Sequence, residues 1–293
     1  MLPRRAMRWV AVHRVAVFVA GSLAMVAGCT DQSGERSTTG LTVSTDERSI
    51  VRVGGAAGSR VMIDIAADVG RAPAPARRST QLVFVGDSLA EEASSFLQFF
   101  TSSKAMVPKF WGGTAPCDWI DDDLAANRRT VVVISFTGNS LTPCMADGNG
   151  GFLDDQALID RYLADVTVLV ERARRAGASV VLVGQPVRSG IFDDDDVVAG
   201  INEVYTVLAE SLSSVVYVDA GAAVEGPGGT YVDHLPCNDL DTECDETGTT
   251  IVRGDGVHFC PVAGATPCPV WSSGAARFAL AIAAAANEPR AFD

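Results

Sequence analysis

Histidine is almost missing from this chain: only three occur in 293 residues. No Cys-x-x-Cys pair occurs either, so the paired-thiolate ligand sets of structural zinc sites are excluded. There is no Walker loop and no Gly-x-Gly-x-x-Gly turn, and nothing points to a nucleotide. Positive charge is scarce. Lys and Arg number 23 against 36 Asp and Glu, for a formal net charge of −13. Four of those arginines (Arg4, Arg5, Arg8 and Arg14) sit at the very start, so the rest of the chain is more acidic still. That balance excludes a nucleic-acid partner, which requires a basic face. The apolar run "VAVFVAGSLAMVAG", residues 15–28, is shorter than the roughly 20 residues a membrane-spanning helix needs.

A basic start followed by a short apolar run has the form of an export signal, here residues 1–28. The run ends in "VAGC", residues 26–29, which resembles the lipobox of bacterial lipoproteins. The resemblance implies cleavage before Cys29 and lipid on its thiol. The mature chain would then be a lipoprotein on the outer face of the cytoplasmic membrane, touching the membrane only through Cys29. An ordinary secretory signal is the alternative, and would release the domain. The other six cysteines are Cys117, Cys144, Cys237, Cys244, Cys260 and Cys268, an even number that fits disulfides in an oxidising compartment. Six cysteines allow 15 pairings, which sequence alone does not fix; local spacing suggests Cys237 with Cys244 and Cys260 with Cys268, leaving Cys117 for Cys144.

Residues 29–79 read as a tether. A polar stretch at 30–48 is followed by a small hairpin over 49–65 and a Pro/Ala spacer at 71–80. The main domain is expected over 80–290. Strands are predicted at 81–86, 104–111, 130–136, 179–184 and 214–219, and helices at 89–101, 120–128, 154–176, 195–213 and 272–288. Strands built almost wholly of Val, Ile and Leu belong to parallel sheets buried on both faces. The fold class is therefore α/β: a three-layer α/β/α sandwich around a mainly parallel five-stranded sheet. Asp121–Asp123 and Asp193–Asp196 are expected to open helices, where acidic charge suits the dipole. "DLDTECDE", residues 239–246, alternates acids but lacks the central glycine of an EF-hand loop, so no metal is assigned. No cofactor is expected.

In such sheets the functional groups gather at the carboxyl ends of the strands. The segments there are "GDS" after the first strand, "GGTAPCDW" after the second, "TGNSLTPC" after the third, and "GDGVHFC" before the last helix. Ser88 and Glu91 have the spacing of a capping box, which makes Ser88 a helix cap, a nucleophile, or both. His13 leaves with the signal, so His234 and His258 are the remaining imidazoles. Asp255 lies three residues before His258 and is placed to orient it. Asp233 adjoins His234, but adjacent side chains usually point apart. Trp111 and Trp119 flank the loop after the second strand and could line a groove or cover the core.

"GDSL" at 86–89, a glycine turn after the second strand, "GN" after the third and "DGVH" before the last helix together resemble the SGNH, or GDSL, hydrolase superfamily, across residues 81–288. The resemblance implies a flavodoxin-like fold and hydrolysis of esters. It implies Ser88 as nucleophile, His258 as base and Asp255 as its acid, and an oxyanion hole from the Ser88 amide, the Gly113 amide (Gly112 next) and the Asn139 side chain. The third block departs from that family's Gly-x-Asn-Asp, reading Gly138-Asn139-Ser140. The implied partner is an ester-bearing substrate, on an envelope glycan, a lipid or a small molecule. The same triad would serve a cell-wall O-acyltransferase, and a third reading is a non-catalytic glycan-binding module. If Cys117 and Cys144 pair, they tie together the two loops that carry oxyanion donors.

Overall fold

The structure is a computed structural model, and it describes residues 44–45, 49–54, 60–64, 79–190 and 195–288. The signal segment, Cys29, most of the tether at 30–48 and the spacer up to residue 78 lie outside the described residues. Among the described residues three short strands precede the main domain: β1 (Ser44–Thr45), β2 (Ser49–Gly54) and β3 (Arg60–Asp64). β2 and β3 pair antiparallel, with Val51 opposite Ile63. β1 pairs antiparallel with the other edge of β2.

The main sheet contains β4 (Gln81–Gly86), β5 (Ala105–Phe110), β6 (Thr130–Ser135), β7 (Ser179–Val183) and β8 (Val215–Val218). Its spatial order is β5-β4-β6-β7-β8 and every pairing is parallel. This is the flavodoxin-like order, whose switch point lies where the chain leaves β4 on one side for β5 and returns on the other for β6. Among the described residues four helices cover the sheet: α1 (Ser88–Phe100), α2 (Asp155–Arg175), α3 (Asp195–Ser211) and α4 (Ser273–Asn287). α3 begins at Asp195, inside the acidic run expected to open it.

Alternation along each strand sends side chains to opposite faces and so divides the core in two. Leu82 and Phe84 of β4 point to the layer of α1 and α4, where they meet Leu89, Leu97 and Phe278. Val83 and Val85 point to the layer of α2 and α3, where they meet Leu163, Val166 and Ile201. Burying each such side chain contributes roughly 1.5–3 kcal/mol, so the strands are held by both layers at once. Gly86 ends β4 because α1 passes so close. A Cβ there would stand 2.4 Å from both Ala90 Cβ and the Ser135 carbonyl oxygen.

The helix predicted at 120–128 does not form. Residues 111–129 run as an irregular crossover with one 3-10 turn, Pro116–Asp118. The reason lies about 50 residues away. The Arg172 guanidinium takes the carbonyls of Ile120 and Asp122, which helical bonding would have used. Asp122 pairs instead with Lys109 at 2.6 Å, and Asp123 caps a turn by accepting from the Ala125 amide at 2.8 Å. Asp121–Asp123 therefore open no helix. Leu124 and Cys117 are buried from this segment, which takes the helix's place against the core.

After β8 comes a long excursion carrying β9 (His234–Pro236) and β10 (Thr249–Ile251), paired antiparallel. All three expected disulfides are present: Cys117–Cys144, Cys237–Cys244 and Cys260–Cys268. Two acids of "DLDTECDE", Asp241 and Asp245, are engaged by protein donors. Asp241 pairs with Arg277 of α4 at 2.6 Å, and Asp245 accepts from the amides and hydroxyls of Thr247 and Thr249. Those donors hold the Asp245 carboxyl well below the usual carboxylate range.

Candidate active site

Ser88 stands at the carboxyl end of β4 and opens α1, beside the switch point of the sheet. Asp87, not Ser88, is the helix cap: its side chain accepts from the Leu89 amide at 3.2 Å. Glu91 does not reach back to the cap either. Its carboxylate accepts from the Gly112 amide, at 2.9 Å, in the loop after β5. The capping-box spacing thus marks a helix start correctly but assigns its bonds to the wrong side chains, and the Ser88 hydroxyl is left for another partner.

That partner is His258, whose Nε2 lies 3.1 Å from Ser88 Oγ. On the other side of the ring, His258 Nδ1 lies 2.9 Å from Asp255 Oδ2. The second oxygen of Asp255 accepts from the amides of His258 (2.7 Å) and Val257 (3.0 Å), which folds "DGVH" into a turn. Burial acts to raise the Asp255 carboxyl, but the His258 amide and imidazole and the Val257 amide outweigh it and hold the carboxyl below its usual range. A hydroxyl bonded to an imidazole, itself bonded to a carboxylate, can pass its proton to the ring when a bond forms at oxygen. His234 is elsewhere, on β9 opposite Ile251. Against expectation it does meet its neighbour, with Nδ1 3.0 Å from Asp233 Oδ1.

Two carboxylates unassigned in the sequence reading hold the frame of the site. Asp87 is buried, and besides capping α1 it accepts from the Thr137 amide at 2.6 Å and the Thr137 hydroxyl at 2.8 Å. It thereby ties the Ser88 turn to the loop bearing Asn139. Burial pushes its carboxyl up, against the lowering effect of Thr137, Leu89 and Arg188. Glu92 joins α1 to the histidine segment by accepting from the amides of Phe259 (2.7 Å) and Cys260 (3.2 Å). Burial raises its carboxyl too, opposed by nearby His258 and those amides. Further support comes from the loop after β7, where the Ser189 amide donates to the Gly256 carbonyl at 2.9 Å.

The donors expected of an oxyanion hole gather here as well. A Cβ on Gly112 would lie 3.7 Å from Ser88 Cβ, so this loop faces the serine. Gly113 has φ +83°, a left-handed conformation that suits glycine, and a Cβ there would lie 3.7 Å from Asn139 Nδ2. The Asn139 backbone is fixed by Tyr162, whose hydroxyl donates to its carbonyl at 3.0 Å. The Cys117–Cys144 disulfide, Cα–Cα 6.1 Å, clasps the loops that carry Gly113 and Asn139. The two tryptophans divide. Trp119 packs against the core and donates to Thr114 Oγ1 at 3.2 Å, while Trp111 is 68% exposed at the end of β5.

No functionally curated protein matches the sequence. Among solved structures, the chain is similar to a proposed acylhydrolase from Bacteroides fragilis, at 19% identity and TM-score 0.47, covering 73% of this chain and 90% of that one. It is also similar to the C-terminal catalytic domain of peptidoglycan O-acetyltransferase A from Streptococcus pneumoniae, at 17% identity and TM-score 0.45, covering 71% and 93%. A third is an acetyl-xylooligosaccharide esterase from Geobacillus stearothermophilus, at 16% identity and TM-score 0.43, covering 72% and 95%. Residues 115–266, a span that includes Asn139, Asp255 and His258, match the family described as "Protein of unknown function (DUF459)", and since the match takes in more than half of the chain, this protein belongs to that family.

Proposed function

We propose that this protein is a carboxylic ester hydrolase that works through a covalent acyl-enzyme on Ser88. The observation carrying this reading is the unbroken hydrogen-bond chain from Ser88 Oγ through His258 to Asp255 at the start of α1. Asp255 keeps the Nδ1 proton of His258 directed at itself, so that Nε2 is the basic nitrogen facing the hydroxyl. Oγ attacks the acyl carbon as its proton passes to Nε2. The imidazolium then protonates the departing alcohol oxygen as the ester C–O bond breaks. Water, deprotonated by the same nitrogen, attacks the acyl-enzyme and releases the acid.

Negative charge develops on the carbonyl oxygen in both steps. The dipole of α1 favours it, and so does the Ser88 amide, which as a helix-start donor has no intrahelical acceptor. The Gly113 amide and the Asn139 side chain are the other donors in this reading. The Gly112 amide is taken by Glu91. One such donor is worth about 10²–10³ in kcat. Asn139→Ala is therefore expected to lower kcat by that factor, with KM changed by less than about threefold. Unchanged kcat removes Asn139 from the hole.

The direct test is a fluorophosphonate probe followed by peptide mass analysis. Labelling is expected at Ser88 and is expected to vanish in His258→Ala. A folded protein that takes no label would falsify the reading. Three disulfides support an oxidising compartment for this reaction, and the basic, apolar start supports export. Anchoring through Cys29 belongs to the same proposal. Mass analysis of the membrane fraction should find lipid on Cys29, and cleavage at another residue returns the protein to the secreted class.

A further inference from the structure

A groove of about 640 Å³ runs along α1, between that helix and the segment leading into α4. Its volume lies in the range of small-ligand sites. One wall is a stripe on α1, Glu92, Phe96 and Phe99, and the facing wall is Pro267, Val270 and Trp271. Phe96 and Trp271 meet edge to face at 4.8 Å, forming the apolar floor. Phe99, Val270 and Trp271 remain 74%, 45% and 43% exposed, which is a poor use of large apolar side chains unless something covers them.

The groove starts at Glu91 and Glu92, one helical turn along α1 from Ser88. Ser88, Glu92, Phe96 and Phe99 succeed one another at helical spacing, so the serine lies on the face of α1 that carries the stripe. The opposite wall belongs to the segment that starts at His258, and the Cys260–Cys268 disulfide closes part of it into a loop. The groove thus opens between the two segments that carry Ser88 and His258. From Ser88 to Phe99 the helix advances about 16 Å, at 1.5 Å per residue.

Its chemistry favours a hydrocarbon. The polar groups at the near end are already engaged: Glu91 by the Gly112 amide, and Glu92 by the amides of Phe259 and Cys260. Two hydroxyls in the walls turn back to backbone, Ser94 to the Glu91 carbonyl and Ser272 to the Phe259 carbonyl. A sugar would need donors and acceptors along this path, whereas an alkyl chain needs only apolar contact. We infer that the groove binds the acyl chain of the ester, and that this protein prefers medium or long acyl groups. This rests on the serine-esterase reading of the same site.

The test is a series of p-nitrophenyl esters from acetate to dodecanoate. kcat/KM is expected to rise along the series by up to about three- to fourfold per buried methylene. Ser95 is exposed and lines the groove, so Ser95→Trp fills it without entering the core. That variant should lose at least tenfold on dodecanoate and keep acetate turnover. Phe99→Asp, at an exposed position, should act in the same direction and guards against misfolding of the first variant. Independently of turnover, Ser88→Ala should bind N-phenyl-naphthylamine and release it to methyl dodecanoate, and Ser88→Ala/Ser95→Trp should not bind it. Acetate turnover with a flat chain-length profile, unaltered by either variant, overturns the groove and leaves the esterase reading standing. No turnover of any ester, with no label on Ser88, overturns both.

Discussion

Ser88→Ala is expected to lower ester turnover by roughly 10⁴-fold or more while moving the melting temperature by no more than about 1 °C. Removing a nucleophile abolishes the covalent route and leaves only binding and oxyanion stabilisation, which explains the size of the loss. The small thermal effect follows from how α1 is capped. A serine that capped the helix would cost about 1 kcal/mol when replaced, or several degrees in a domain of this size. Here the cap is Asp87, and the Ser88 hydroxyl bonds to His258 instead. Kinetics and melting measured on one preparation separate the two roles. A melting temperature several degrees lower with turnover retained would make Ser88 a structural residue.

What was legible in the sequence was whatever is encoded within a few residues. "GDSL", "GN" and "DGVH" each mark a strand end or turn, and the fold brings them together at one rim because parallel strands all end there. The short cysteine spacings pointed to the right pairs, which left Cys117 for Cys144. Bonds that depend on distant partners were not legible. Glu92 reads as one more acid in a helix until Phe259 and Cys260 arrive 167 and 168 residues later. Residues 120–128 look helical until Arg172 takes their carbonyls. Local pattern cannot anticipate a guanidinium supplied by another element, and tertiary bonds override weak propensity there. Asp87 was read only as part of a motif, though a buried carboxylate beside a helix start must find donors somewhere.

Asp87→Ala is the second large effect, and it falls on stability first. The side chain is 1% exposed and accepts from the Leu89 amide, the Thr137 amide and the Thr137 hydroxyl. Loss of the helix cap alone costs about 1 kcal/mol. The Thr137 amide and hydroxyl then lose their acceptor in a buried site, at about 1–3 kcal/mol for each group left unsatisfied. The expected total is about 3–7 kcal/mol, or roughly 10–20 °C in melting temperature. Asp87→Asn keeps a carbonyl oxygen for Thr137 and should recover part of the loss. Thr137→Val still leaves the amide bond in place and should cost less than Asp87→Ala. Turnover should fall in Asp87→Ala even well below its melting point, because the segment Thr137-Gly138-Asn139 is no longer tied to the Ser88 turn. If Asp87 serves only as a cap, the loss stops near 1 kcal/mol and does not couple to Thr137 in a double-mutant cycle. A coupling of 1 kcal/mol or more would show that one carboxylate positions both the nucleophile's helix and the loop expected to hold the oxyanion.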